Sequence, residues 1–202
     1  LGSLLIVVLL SAPGNEQPSL PLAFSYVHDR EGSLSHEEAF PQLSGKSPRT
    51  VELATNRSES PFWLLSAPVP FKNQEPTSIE IPSRHVQALQ FFIYDADNQL
   101  ISTGVANRAD TSTSVARRIR AGFAIPLPAM AGEFRFLVRT ISSGPARLSL
   151  AERSNSDLET SDHYFDRSGG VLFGSLLMIA AFSTIIAILA RDLTFFLFSA
   201  WV

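Results

Sequence analysis

Five residues in this chain have types suited to holding a ligand: Phe62, Trp63, Arg118, Arg120 and Arg139. Phe62 and Trp63 could form an aromatic platform, because the flat apolar face of a sugar ring stacks well on an indole. A tryptophan early in a β-rich chain is also a common core residue. Arg118, Arg120 and Arg139 could clamp a carboxylate or phosphate through paired hydrogen bonds. The run RRIR equally reads as a solvated strand edge that discourages aggregation. Asp95 and Asp97, with Asn98, supply oxygen atoms of the kind calcium takes, but the rest of a calcium loop is missing, so a turn is the better account. His28, His36, His85 and His163 are far apart, with no HxH or HxxxH spacing to hold zinc. No serine sits in a GxSxG elbow, and nothing singles out a carboxylate pair for glycoside hydrolysis. The expectation is a binding protein with no catalytic residue, no metal and no cofactor.

Those side chains must be positioned by strands. Apolar residues recur with period two across most of the chain, and the breaks carry turn residues. A first strand is expected at PLAFSYVHD, with Leu22, Phe24 and Tyr26 on one face. Others are expected at Thr50 to Ala54, Pro61 to Pro68, Thr77 to Ile81, Ala88 to Tyr94, Gln99 to Val105, Gly122 to Leu127, Glu133 to Ile141 and Ala146 to Ala151. FRFLVRT shows the pattern best: Phe134, Phe136 and Val138 alternate with Arg135, Leu137 and Arg139. DADN makes a hairpin turn between two of these strands. Ser35, with Glu38 three residues on, has the spacing of a capping box and marks about one helical turn. Eight or nine short strands with 13 prolines and 11 glycines describe an all-β antiparallel sandwich resembling a jelly roll, expected over residues 22–152.

The two ends are apolar. Val171 to Ala190 is twenty residues without charge or proline, enough to cover about 30 Å of hydrocarbon as a helix. The first transmembrane helix is therefore placed at 169–190, after a polar juxtamembrane connector at 153–168. Arg191 and Asp192 then separate it from LTFFLFSAWV, which reads as the start of a second span at 193–202. Gly170 and Gly174 have GxxxG spacing, which lets a neighbouring helix approach closely. LGSLLIVVLLSAPG resembles the apolar part of a secretory signal, so residues 1–13 are expected to be a signal peptide or the remnant of an N-terminal anchor. Between the ends there is room for one domain with a real core.

Composition excludes some partners. With 16 basic and 19 acidic residues the net charge is −3, and no long block of like charge invites nucleic acid. The absence of cysteine rules out disulfides and thiol chemistry and suits a bacterial envelope domain held together by its core.

The order of features resembles the bacterial seven-transmembrane receptors with diverse intracellular signalling modules, in particular their type 2 extracellular domain. HDREGSLSHEEAF matches the acidic turn and short helix, and Ser60-Pro61-Phe62-Trp63-Leu64 the aromatic strand. LQFFIYDADNQ, the return at Thr103-Gly104, the arginines 117, 118 and 120 ahead of FAIPLP, and FRFLVRTISSG closing with ARLSL follow in order. RSGGVLFGSLLMIAAF then matches the membrane entry. The chain departs from the family after Trp63, where LLSAPVPF replaces the usual polar continuation.

The resemblance implies a sensor. A sandwich similar to carbohydrate-binding modules would lie in the periplasm at the bacterial inner membrane. Seven helices would relay its state to a cytoplasmic output such as a diguanylate cyclase or histidine kinase. The partners implied are a small-molecule ligand, with carbohydrate a candidate, the inner membrane, and a second copy in a homodimer. The alternative reading is a membrane-tethered binding or adhesion module without signalling output. An envelope enzyme is the third.

Overall fold

A computed structural model describes residues 19–70, 76–109, 115–119, 122–128 and 132–190, the last segment with backbone only at 161–169 and 190. The expected signal segment at 1–13, Arg120 and the second apolar stretch at 193–202 lie outside the described residues.

In chain order the first elements are β1 (Leu20–Leu22), β2 (Phe24–His28), α1 (His36–Ser44), β3 (Leu53–Ala54), β4 (Phe62–Ser66), β5 (Val69–Pro70) and β6 (Thr77–Ile81). Then come β7 (Val86–Tyr94), β8 (Leu100–Asn107), β9 (Arg117–Ile119), β10 (Gly122–Pro126) and β11 (Glu133–Ser142). The last are β12 (Arg147–Leu148), β13 (Leu150–Ser154) and α2 (Asn155–Ala190).

Two antiparallel sheets form the expected sandwich. One runs β1-β13-β6-β10-β9, and the other β2-β4-β11-β7-β8 with β5 also on β11. Most neighbours in each sheet are distant in sequence, so the chain passes repeatedly between sheets and ties them into one core. Phe24, Leu64, Phe91, Phe136 and Val138 from one sheet meet Ile79, Ile81, Phe123, Ile125 and Leu150 from the other, all buried. Each such side chain contributes about 1.5 to 3 kcal/mol through burial.

The register of β11 sets which residues face where. Val138 pairs with Leu64 and Phe91, pointing inward, while Arg139 pairs with Trp63 and Gln90, pointing outward. A slip of one residue would drive Arg135 and Arg139 into the core, so the alternation in FRFLVRT fixes the pairing. Gly104 lies opposite Phe91, and a Cβ there would come within 2.6 Å of the phenyl ring. The ring occupies the space that glycine leaves.

Several boundaries differ from expectation. The first expected strand breaks at Ala23, which sends β1 to one sheet and β2 to the other. Tyr26 on its expected inner face is 39 % exposed, whereas Phe24 on the same edge strand is fully buried. The strand expected from Ala146 is divided into β12 and β13, and β9 forms where only basic residues were noted. Asp95 accepts hydrogen bonds from the amides of Asp97 and Gln99 at 2.9 and 2.7 Å, and Asn98 takes a left-handed φ of 59°. DADN is thus the hairpin turn between β7 and β8, its carboxylate engaged by backbone.

The helix at Ser35 is longer than one turn. The capping box is complete: Glu38 N–H donates to Ser35 Oγ at 3.3 Å, and Ser35 N–H donates to Glu38 Oε2 at 3.0 Å. The helix then continues through Pro41 to Ser44, although proline removes an amide donor and crowds the preceding turn. Burial of Ala39 and Leu43 against the outer face of the β4-β11-β7 sheet offsets that cost.

Residues 153–168, expected as a connector, hold the end of β13 and the first turns of α2. Within that helix Gly170–Leu189 has a mean hydropathy of 2.4, and among the described residues it is the one helix long and apolar enough to cross a membrane. Gly170 and Gly174 have open space where a Cβ would sit.

Candidate functional site

The aromatic pair does not make a platform. Phe62 and Trp63 are neighbours on one strand, so they point to opposite faces. Phe62 turns inward, 5 % exposed, and stacks on His28 with centroids 4.2 Å apart. Trp63 turns outward but is 1 % exposed, covered by α1 in a second core with Leu43, Leu65, Tyr94 and Leu137. Neither ring has a free face for a sugar, which corrects the stacking expectation. What decides between platform and core is the position of α1, which covers the outward-facing Trp63.

The arginines are also separated. Arg139 lies against Trp63, its guanidinium 5.9 Å from the ring centroid and Nη2 donating to Gly32 O at 3.2 Å. Gly32 belongs to the loop that leads into α1, so Arg139 pins that loop to the sheet. Arg139 Nε and Trp63 Nε1 are buried without an acceptor. Arg118 sits on β9 in the other sheet and donates to Arg108 O at 3.2 Å. Arg118 and Arg139 therefore do not form a clamp, and Arg120 is outside the described residues.

Arg108, which the sequence did not single out, braces the end of the sandwich. It donates to Val86 O at 2.8 Å and Ser83 O at 3.1 Å, and lies 5.7 Å from the Phe123 centroid. Burial first, then the charges of Arg118 and Arg84, lower its pKa from the ordinary arginine value.

A concave site does occur where α1 ends. Ser25 on β2, Leu65 and Ser66 on β4, Arg135 on β11, and Leu43 and Lys46 at the end of the helix line a cavity of about 50 Å³. Pro48, Pro68 and Ser44 complete its margin. The hydroxyls nearby are committed: Ser25 Oγ donates to Leu43 O at 3.1 Å, and Ser66 Oγ accepts from Phe136 N–H at 2.9 Å. Among the described residues neither Lys46 nor Arg135 has an ion pair. Strand alternation noted Arg135 only as part of a polar face. Lys46 and Ser25 carried no signal, because the cavity draws on segments more than one hundred residues apart.

The sequence model of the family 7TMR-DISM extracellular 2 matches residues 22–151, a stretch that begins in β1 and ends in β13. The chain belongs to that family. It is thus the extracellular domain of a seven-transmembrane receptor family, followed by a helix long and apolar enough to cross a membrane. Among curated proteins none matches the chain.

Proposed function

We propose that this extracellular domain senses a small ligand on the periplasmic side of a bacterial inner membrane and biases the arrangement of the membrane helices that follow. The observation that carries this reading is the family match over most of the sandwich, in a chain that continues into the apolar helix. In this reading the domain binds its ligand without turning it over. Occupancy shifts the population of two receptor states by the difference in affinity between them. The output would be an attached cytoplasmic enzyme such as a diguanylate cyclase or histidine kinase. The burial of Trp63 removes the argument for carbohydrate that rested on stacking, and the cavity beside α1 is a concave place among the described residues where a ligand could sit.

The test is thermal unfolding of the whole chain in lipid nanodiscs, against panels of saccharides, amino acids, organic acids and inorganic anions. The expected result is a saturable rise in melting temperature with at least one compound, since a ligand that binds only the folded state stabilises it. A flat response to every panel would reject ligand sensing in favour of an adhesion module.

A further inference from the structure

We propose that the cavity at the end of α1 binds a small oxyanion, a carboxylate or a tetrahedral anion, between Lys46 and Arg135. This deepens the sensing reading and rests on it only in naming the ligand of that domain.

Three observations carry the assignment. The first is charge without a partner. Arg135 is half-buried and Lys46 exposed at the same cavity, and among the described residues no carboxylate pairs with either. Glu133 is two residues from Arg135 on the same face of β11, yet it is exposed and forms no ion pair with it. Two cationic residues lining one cavity, one of them partly out of water, are an arrangement that a carboxylate or phosphate completes with charge-assisted hydrogen bonds.

The second observation concerns the helix end. A lysine after a helix can serve simply to neutralise the last carbonyls. Here Leu43 O already accepts from Ser25 Oγ at 3.1 Å and from the Lys46 amide at 3.0 Å, and Pro41 O accepts from Ser44 Oγ at 3.2 Å. These donors satisfy Leu43 O and Pro41 O without the Lys46 ammonium, so those two carbonyls do not require it.

The third is size. A water-sized group needs about 10 to 15 Å³ measured this way, so a cavity of about 50 Å³ takes only a few such groups. That accommodates a carboxylate head or a phosphate and excludes a whole sugar ring. A larger acid would seat its anionic head here and leave the remainder in solvent.

The experiment is calorimetric titration of the whole chain in nanodiscs of neutral lipid, at constant ionic strength balanced with chloride. The probes are acetate, succinate, phosphate and sulfate, with glucose as the neutral comparison. The expected result is saturable binding of at least one oxyanion, weakened about tenfold or more in Lys46→Gln and Arg135→Gln, since each removes a charge-assisted hydrogen bond. Arg118→Gln, on the other sheet, should bind as the parent does. Carboxylates binding without phosphate and sulfate would assign an organic acid, and the reverse an inorganic anion. Lys46→Glu, at an exposed position, keeps the test decisive if Arg135→Gln fails to fold. Oxyanion binding unchanged in Lys46→Glu, or no oxyanion binding at all, overturns the site. Saturable binding of glucose alone would overturn the anion site while leaving the sensing reading standing.

Discussion

The two sheets carry unlike covers on their outer faces. On the β4-β11-β7 sheet, α1 lies over Trp63, Leu65, Tyr94 and Leu137. Its aromatic neighbours extend the contact, with Phe40 4.0 Å from Tyr94 and His36 4.3 Å from Phe92 between centroids. On the β6-β10-β9 sheet the cover is the first turn of α2, where Leu158 packs on Ile119 and Ala124. That turn is held by polar contacts as well: Ser78 Oγ bonds Asn155 Oδ1 at 2.6 Å, and nearby Arg153 lies 3.7 Å from the Glu80 carboxylate. The first cover is a second hydrophobic core with its own caps, and its far end shapes the cavity. The second is a small apolar cluster framed by polar groups, at the point where the chain leaves the sandwich. The contrast separates an extensive apolar cover over one sheet from a lighter attachment at the exit.

The largest expected effect tests the first cover. Trp63→Ala should cost about 3 to 5 kcal/mol of sandwich stability, as removal of a fully buried tryptophan does. Thermal unfolding followed by far-ultraviolet circular dichroism measures it. A variant that melts like the parent yet loses saccharide binding would restore Trp63 as a platform and undo the description of this face as core.

Leu158→Ala probes the second cover and should cost less, about 2 kcal/mol. Leucine-to-alanine changes in cores span about 2 to 5 kcal/mol, with the low end where few neighbours line the gap. The same unfolding measurement applies. A cost equal to that of Trp63→Ala would erase the contrast between the two faces.

How far these covers could be read from sequence differs in the same way. The central strands were legible because alternation is strong there: Thr77–Ile81 is β6 as expected, and FRFLVRT lies in β11 with Phe134, Phe136 and Val138 inward. The capping box of Ser35 and Glu38 was legible because its spacing is local. The extent of α1 was not, since Pro41 argues for a stop and only the burial of Leu43 against a distant strand overrides it. Trp63 stayed open between platform and core for the same reason, as nothing near it in sequence reveals the helix above. The split at Ala23 and the short β9 depend on which sheet edge is open, and the cavity between Lys46 and Arg135 depends on pairing across the whole chain.

The smallest expected effect sharpens the account of α1 itself. Glu38 accepts the Ser35 amide and then the Ser35 hydroxyl, and these two bonds hold its carboxyl below the ordinary carboxylate value. A group whose pKa is lower in the folded state binds protons more readily when unfolded, so its contribution is present above the unfolded value and is lost as pH falls through the folded one. Acidification should therefore loosen the start of α1, while the cluster around Leu158 is indifferent to this carboxyl. Glu38→Gln keeps an acceptor oxygen but cannot titrate. Melting temperatures of parent and variant measured from neutral pH downward should differ slightly at neutrality and converge in acid, the parent losing its advantage below the usual carboxylate range. Curves that stay parallel would show that the charge at Glu38 adds nothing, and that burial of Ala39 and Leu43 alone holds α1 to its sheet.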